Sequence, residues 1–431
     1  MSELEKLALF DGEPLRTKLF PMWPQAGAGD LEALQRALEA NNWGGHPEPG
    51  EEAGKFAEAF AKRHDLEYGI CCNTGSEANR ITMRAAGLQP GQEVIVPSYN
   101  WVSPITSVTA CGADPVVIDI DPDSHLMDLT LLEEARSERT AGVVSMHYTG
   151  RIVPPEPILE FCKKHNLFYI EDCAQAHGGR WKGKAVGSFG DAAAYSFQSS
   201  KILTSGEGGL VGTNDPEIAD AAHAMVDNNR QKPWFKKEIR FPEVTNSRIT
   251  EFQAALLSSQ LTRLDEEQEL RIKNSELLHE YLAEIPDISS LEPVKDESSP
   301  AYWKFIILLE EPLAQLSKGV FLRALMAEGI PAEPGHVPVH MHPSTMLSRD
   351  NWILVSREEG RKAKRLPVVE RLATQVHVWL PHSVLLGTNE DIADIATAVR
   401  KVRNGLLGAY QAKALEMHKK IQSVWHGSAE I

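Results

Sequence analysis

The chain has 431 residues, 42% of them hydrophobic and 24% charged, with a formal net charge of −16. That length allows two or three average domains, and the acidic balance argues against a nucleic-acid or anionic-membrane partner. No apolar run approaches the roughly 18 residues that a membrane-spanning helix needs, and the opening stretch MSELEKLALFDGEPLRTK has no apolar signal-peptide core, so a cytoplasmic protein is expected.

From about Leu66 to Thr213, helix-like stretches at 76–86, 103–110 and 155–165 separate short apolar runs. The runs are EVIVPS, DPVVIDID, AGVVSMHY, LFYIEDCA and AAAYSFQ. They are rich in Val and Ile without strict alternation, as strands buried on both faces are. Strands spaced by helices predict an α/β domain with a mainly parallel sheet, which binds ligands at the carboxyl ends of its strands. From Thr250, TEFQAALLSSQLTRLDEEQELRIKNSELLHEYLAEI predicts one long helix. It leads to a smaller α+β domain holding WKFIILLE, FLRALMAEGI and HVWLPHS. No Pro/Ser-rich linker divides the halves, so a large domain over 1–265 is expected to pack against a small one over 266–431. The polar tail after Ala414 predicts partial disorder. Cys71, Cys72, Cys111, Cys162 and Cys173 lack CxxC spacing and read as reduced, buried thiols, with no metal site implied.

Four strand ends carry candidate chemistry. In CNTGSEANR, Gly75 and Ser76 stand where a strand becomes a helix. Amides at a helix N-terminus hold anions such as phosphate, although an ordinary cap at Ser76 with Glu77 in the first turn reads the same. No Walker lysine follows and GxGxxG spacing is missing, so the common nucleotide motifs are not supported. Trp101 in PSYNWVS could lie on a planar ring or simply pack in a core. Asp172 in YIEDCAQAHGG ends a strand, where a buried carboxylate suits a cationic partner such as a pyridinium nitrogen and a loop cap is the plain alternative. Ser196 is a polar residue inside the apolar run AAAYSFQ, and Lys201 follows that run directly. A lysine in a site of low polarity loses its proton more easily and becomes a nucleophile. Together these ends supply a phosphate cradle, a ring stacker, an acid for a ring nitrogen and an amine. That set meets the requirements of pyridoxal 5′-phosphate.

On these segments the sequence resembles the DegT/DnrJ/StrS family of sugar aminotransferases, a fold-type I branch of pyridoxal-phosphate enzymes. The resemblance runs from FPMWP and NNWGG through NTGSEAN, VIVPSYNWVS, EDCAQAHGG, SFQSSKILTSGEGG and TNSRITEFQAALLSSQLTRLDE to HVPVHMHP and WLPHS. SFQSSK is similar to the subgroup of 3-amino-5-hydroxybenzoate synthase and the glutamine-dependent scyllo-inosose aminotransferases. The resemblance implies a fold-type I architecture, with Lys201 as Schiff-base lysine and proton shuttle and Asp172 at the pyridine nitrogen. It implies Gln175 near the ring hydroxyl, Trp101 stacked on the ring, and Gly75, Ser76 and Ser196 at the phosphate. Asn246 of TNSR matches a residue that reaches the neighbouring subunit's cofactor, which implies a homodimer with shared active sites. His336 and His340 fall in the substrate-side segment. Two departures stand out: NTGSEA replaces SGTAA, bringing Glu77 beside the phosphate end, and HYTG replaces HLYG.

The implied function is ping-pong transfer of an amino group from L-glutamine or L-glutamate to a keto group of a cyclitol or sugar. The setting would be amino-sugar, aminocyclitol or antibiotic biosynthesis. A nucleotide-linked keto sugar, an aromatising dehydration of the 3-amino-5-hydroxybenzoate synthase type and a non-catalytic sensor stay open as alternatives. Relatives that dehydrate sugars carry His at the lysine position, so Lys201 speaks against that chemistry.

Overall fold

The apolar runs of the first half fold as strands buried on both faces. The computed structural model describes residues 6–44, 50–235, 237–242, 244–343, 345 and 352–427; Gly45 of NNWGG and the last four residues of the tail lie outside them. The first strands are β1 (Tyr68–Cys72), β2 (Glu93–Pro97), β3 (Asp114–Ile118), β4 (Thr140–Met146) and β5 (Phe168–Asp172). Then come β6 (Arg180–Trp181), β7 (Lys184–Ala185), β8 (Ala192–Ser196) and β9 (Gly209–Thr213). The second half adds β10 (Ile288–Ser290), β11 (Glu297–Ser299), β12 (Lys304–Leu309), β13 (Ile353–Ser356), β14 (Gly360–Arg361) and β15 (His377–Pro381).

Nine of these strands form one sheet in the order β1-β9-β8-β5-β4-β2-β3-β13-β14. Every pairing from β8 across to β13 is parallel, and antiparallel pairs close both edges. Helices α1 (Ala28–Glu39) and α2 (Glu51–Arg63) precede the sheet. The connections between its strands carry α3 (Gly75–Ala85), α4 (Ser103–Ala110), α5 (Leu132–Ala135) and α6 (Pro155–His165), and α7 (Pro216–Val226) follows β9. Val94, Ile95, Val96, Val116, Val117, Val143 and Val144 are fully buried in its core. Burying each such side chain contributes roughly 1.5–3 kcal/mol, which holds the strand ends in register.

The expected long helix is two helices, α8 (Glu251–Leu261) and α9 (Leu264–Ala283). The chain breaks at Thr262 and Arg263, where the Arg263 guanidinium is tied to Asp30 at 3.1 Å and to the Gln25 carbonyl at 3.0 Å. These contacts tie the break to the start of α1, a relation that periodicity alone does not reveal.

The small part packs α9 and α10 (Leu313–Ala327) on the antiparallel sheet β10-β12-β15, with α12 (Asn389–Leu407) against both helices. The short helix α11 (Pro367–Arg371) runs into β15 through an irregular turn. Two segments cross the boundary expected at 265/266. Leu7 and Phe20, from the chain's start, are buried in the second core. β13, from its later half, pairs in parallel with β3 and covers that edge of the large sheet, where unpaired backbone groups would otherwise remain. The tail also differs from expectation: α13 (Gln411–Gly427) is helical, with Ala414, Met417 and Ile421 against the second core. Among the described residues no helix is long and apolar enough to cross a membrane.

Candidate active site

Parallel strands bring their carboxyl ends to one edge of the sheet, and a cavity of about 480 Å³ opens there. Gly75, Ser76, Trp101 and Asp172 line it. Gln175, Ser196, Lys201 and His336 line it too.

Lys201 sits in a turn held by backbone bonds from Ser199 N to Gly206 O and from Phe197 N to Gly208 O, each 2.9 Å. Gly206 has φ +85°, a conformation that β-carbon-bearing residues rarely adopt. The Lys201 side chain is buried. Burial lowers its pKa from the usual 10.5 to about 8; Asp172 opposes this and Lys304 adds to it. At that pKa a fraction of the amine is neutral near neutral pH, the form that can act as a nucleophile or accept a proton.

Asp172 ends β5. Its Oδ1 accepts a hydrogen bond from Ala174 N at 3.0 Å, and its Oδ2 accepts one from Asn79 Nδ2 at 3.1 Å. Burial raises its pKa above the ordinary value, while those two donors and the Lys201 ammonium pull it back. Each carboxylate oxygen keeps acceptor capacity, so a cation in the cavity would bring the group to full ionisation.

At the start of α3 the cap is Thr74, whose Oγ1 accepts from Glu77 N at 3.1 Å. Ser76 is not the cap; its hydroxyl accepts from Ser103 Oγ at 2.8 Å and faces the cavity. Glu77 is bound by Arg80 at 2.6 Å and by the Ser247 hydroxyl at 2.7 Å, and it does not line the cavity. A β-carbon on Gly75 would lie 2.4 Å from Ser196 Cβ. Glycine is therefore what lets the helix start approach β8. We expect Gly75→Ala to destabilise the protein by about 1–3 kcal/mol through this overlap. Thermal unfolding checks it, and an unchanged melting temperature would mean that Ser196 moves aside at no cost.

Gln175 is buried, with Oε1 accepting from Thr149 N at 2.7 Å. Thr149 of the HYTG segment has φ 59° and lies behind Gln175 rather than in the cavity wall, so this departure acts on the site through Gln175. Gln175 Nε2 lies 3.4 Å from His336 Nε2. An amide nitrogen can only donate, which assigns the His336 proton to Nδ1. Burial, then Lys201 and Lys304, lower the His336 pKa to about 3, so the ring is neutral. Trp101 is half-exposed, its ring centroid 5.5 Å from that of His336.

Two expected residues are not brought to this cavity. His340 is buried elsewhere, with Nε2 3.1 Å from Glu370 Oε1. Asn246 is exposed, in a backbone bridge with Asp227. Asn79, Asn100 and Trp303 are among the further residues that line the cavity without having been expected. Asn79 lies four residues past Gly75 on α3, the same helical face, so its placement was available from spacing. Asn100 neighbours Trp101, and no local signal marks Trp303.

His147, Glu171 and Cys173 bring potential metal-ligand atoms within 4.8 Å of one another. Hydrogen bonds already engage His147 and Glu171. His147 Nδ1 accepts from Val153 N at 3.2 Å, which leaves its other nitrogen to donate to Glu171 at 3.2 Å. Glu171 also accepts from the backbone of Gly187, Phe189 and Gly190 at 2.8–2.9 Å, fixing that loop beneath the site.

The model of the DegT/DnrJ/EryC1/StrS aminotransferase family matches residues 25–400. An L-glutamine:2-deoxy-scyllo-inosose aminotransferase of Streptomyces paromomycinus is 34% identical over 422 residues, covering 93% of this chain and 98% of its own. The crystal structure of 3-amino-5-hydroxybenzoic acid synthase superposes with a TM-score of 0.81 at 26% identity, covering 90% of this chain and 99% of that one. The aminotransferase from Psychrobacter cryohalolentis superposes with a TM-score of 0.78 at 27% identity, with the same coverage.

Proposed function

The chain belongs to the DegT/DnrJ/EryC1/StrS aminotransferase family, and from that premise we propose that it uses pyridoxal 5′-phosphate to move an amino group from L-glutamine to a keto group of a cyclitol or sugar. The observation that carries the reading is the meeting of a buried, readily deprotonated Lys201 with a buried Asp172 in one cavity.

The residues fit the cofactor. Asn79 Oδ1 and both polar atoms of the Asn100 amide are buried at the cavity without a partner, and such groups ask for a polar ligand. The α3 N-terminus with Ser76 and Ser196 would hold the phosphate. Asp172 would hold a positive charge on the ring nitrogen, Gln175 would bond the ring hydroxyl, and Trp101 would cover a ring face. Bound, the cofactor supplies an aldehyde that condenses with amines and a ring that withdraws electrons from the neighbouring carbon. Lys201 Nζ would supply the attaching amine and, once free, would take the proton from the donor's α carbon and pass it to the carbon that was the cofactor's aldehyde. Donor and acceptor use this one site in turn, so the kinetics are ping-pong.

Among the described lining residues Lys201 is the one cation, beside the carboxylates Asp172 and Glu207. A neutral side-chain amide suits that lining better than a second carboxylate, in keeping with the glutamine named for the relative. The acceptor class rests on the same relative, whose keto substrate is a deoxy-inosose, and points to aminocyclitol formation in antibiotic biosynthesis. A homodimer completes the reading, with the exposed Asn246 delivered to the neighbouring copy's phosphate end. Likeness to 3-amino-5-hydroxybenzoic acid synthase supports a second reading, amination with loss of water and aromatisation; the product's mass distinguishes the two.

The test is the absorbance of purified protein loaded with the cofactor. A band near about 420 nm that moves toward about 330 nm on adding L-glutamine, and returns on adding 2-deoxy-scyllo-inosose, is expected. No band after loading would overturn the reading.

A further inference from the structure

Trp303, just before β12, has no part in the roles assigned above, yet it stands against the reactive amine. Lys201 Nζ lies 4.1 Å from the centroid of its indole ring. The ring is buried and fixed: its Nε1 donates to the Ser200 carbonyl at 2.6 Å, and Trp379 packs edge-on at 5.9 Å. A second amine approaches the same ring, Lys304 Nζ at 4.9 Å from the centroid. Lys304 does not line the cofactor cavity. It lines an adjoining cleft of about 600 Å³, where both oxygens of Glu333 hold its ammonium at 2.7–2.8 Å.

An aromatic face attracts an ammonium through its quadrupole and has no such hold on a neutral amine. Catalysis needs both forms of Lys201 in alternation. We propose that Trp303 is a positioning residue: its indole face holds the Lys201 ammonium beside the cavity and releases the amine once it loses its proton, with the Lys304–Glu333 pair setting the balance. This assignment rests on Lys201 being the reactive amine of the proposed function. The charged and titratable groups around Lys201 are Asp172, Glu207, Lys304, His177, His336 and His382. Burial lowers the pKa of all three histidines and leaves them neutral. Asp172 favours the ammonium and Lys304 opposes it. Glu333 offsets Lys304, so it acts on Lys201 from the far cleft.

The experiment measures Lys201 protonation in the cofactor-free protein. Trace acetylation with acetic anhydride across pH 6–11, read by peptide mass spectrometry, gives the midpoint of Lys201 reactivity. Trp303 is replaced site-specifically by mono-, di- and trifluorotryptophan, which weaken the ring quadrupole and keep its shape. The midpoint is expected to fall stepwise, by about one pH unit in total, a tenfold change in proton affinity. Glu333→Gln, at a half-exposed side chain that tolerates the change, is expected to lower it as well, and Lys304→Met to raise it. A midpoint that stays constant across the fluorinated series reduces Trp303 to a packing residue and overturns the assignment. The labelling needs no cofactor, so failure to take up pyridoxal 5′-phosphate would sink the proposed function separately from this result.

Discussion

Lys201→Ala abolishes amino transfer, with kcat down by at least about 10⁴-fold, the upper range for losing a general acid–base group, while the protein stays folded. In the proposed function two roles would leave together, the amine that attaches the cofactor and the group that carries the α proton. Stopped-flow turnover with L-glutamine and a keto cyclitol measures the loss. Retention of even a tenth of the wild-type rate would remove Lys201 from the mechanism. The companion variant Lys201→Met isolates what burying the charge costs. The folded-state pKa is about 8 against the usual 10.5, so between those values the unfolded chain binds a proton that the folded chain lacks. Wild-type stability therefore rises with pH across that window, and the penalty is fully present below pH 8. At about 1.4 kcal/mol per pH unit it is on the order of 3 kcal/mol. Lys201→Met is expected to be the more stable protein below pH 8, with the gain fading toward pH 10.5. Denaturant melts at pH 7 and pH 10.5 provide the comparison.

Asp172→Asn lowers kcat by about 10³-fold, equivalent to about 4 kcal/mol of transition-state stabilisation, with a smaller effect on cofactor retention. The carboxylate is buried and already oriented by the Ala174 amide and the Asn79 side chain. An asparagine there keeps the shape and cannot carry the charge that, in the proposed function, would hold a proton on the ring nitrogen. Its NH₂ would also confront the Asn79 donor. Single-turnover rates with L-glutamine test the substitution, and Asn79→Ala, which leaves the charge in place, should cost markedly less. Equal losses in the two variants would mean that Asp172 matters only for packing.

The strands of the large sheet and the motifs at their ends were legible in the sequence because both are local. A run such as EVIVPS, buried on both faces, announces itself by composition, and β2 spans Glu93–Pro97 as that run implies. Asp172, Ser196 and Lys201 could be placed at one sheet edge because parallel strands share a direction. Residue numbers also carried Gly75 and Ser76 to that edge, although Thr74 rather than Ser76 caps the helix.

Relations between distant segments were not legible. His336 and His340 are four residues apart, which suggests a shared role. The chain between them passes Pro338 into a tight turn at Val339–Met341, so one ring joins the cavity and the other pairs with Glu370. The break between α8 and α9 depends on Asp30, more than 200 residues earlier. Trp303 stands just before β12, about 100 residues after Lys201, and its buried ring packs with the core of the large sheet against the Lys201 amine. By itself, then, the sequence determined which candidate residues stand at the strand ends, since periodicity and strand direction act over a few residues. Only the tertiary structure decided which distant rings and charges surround the Lys201 amine, since those contacts are selected by packing, and packing leaves no period in the chain.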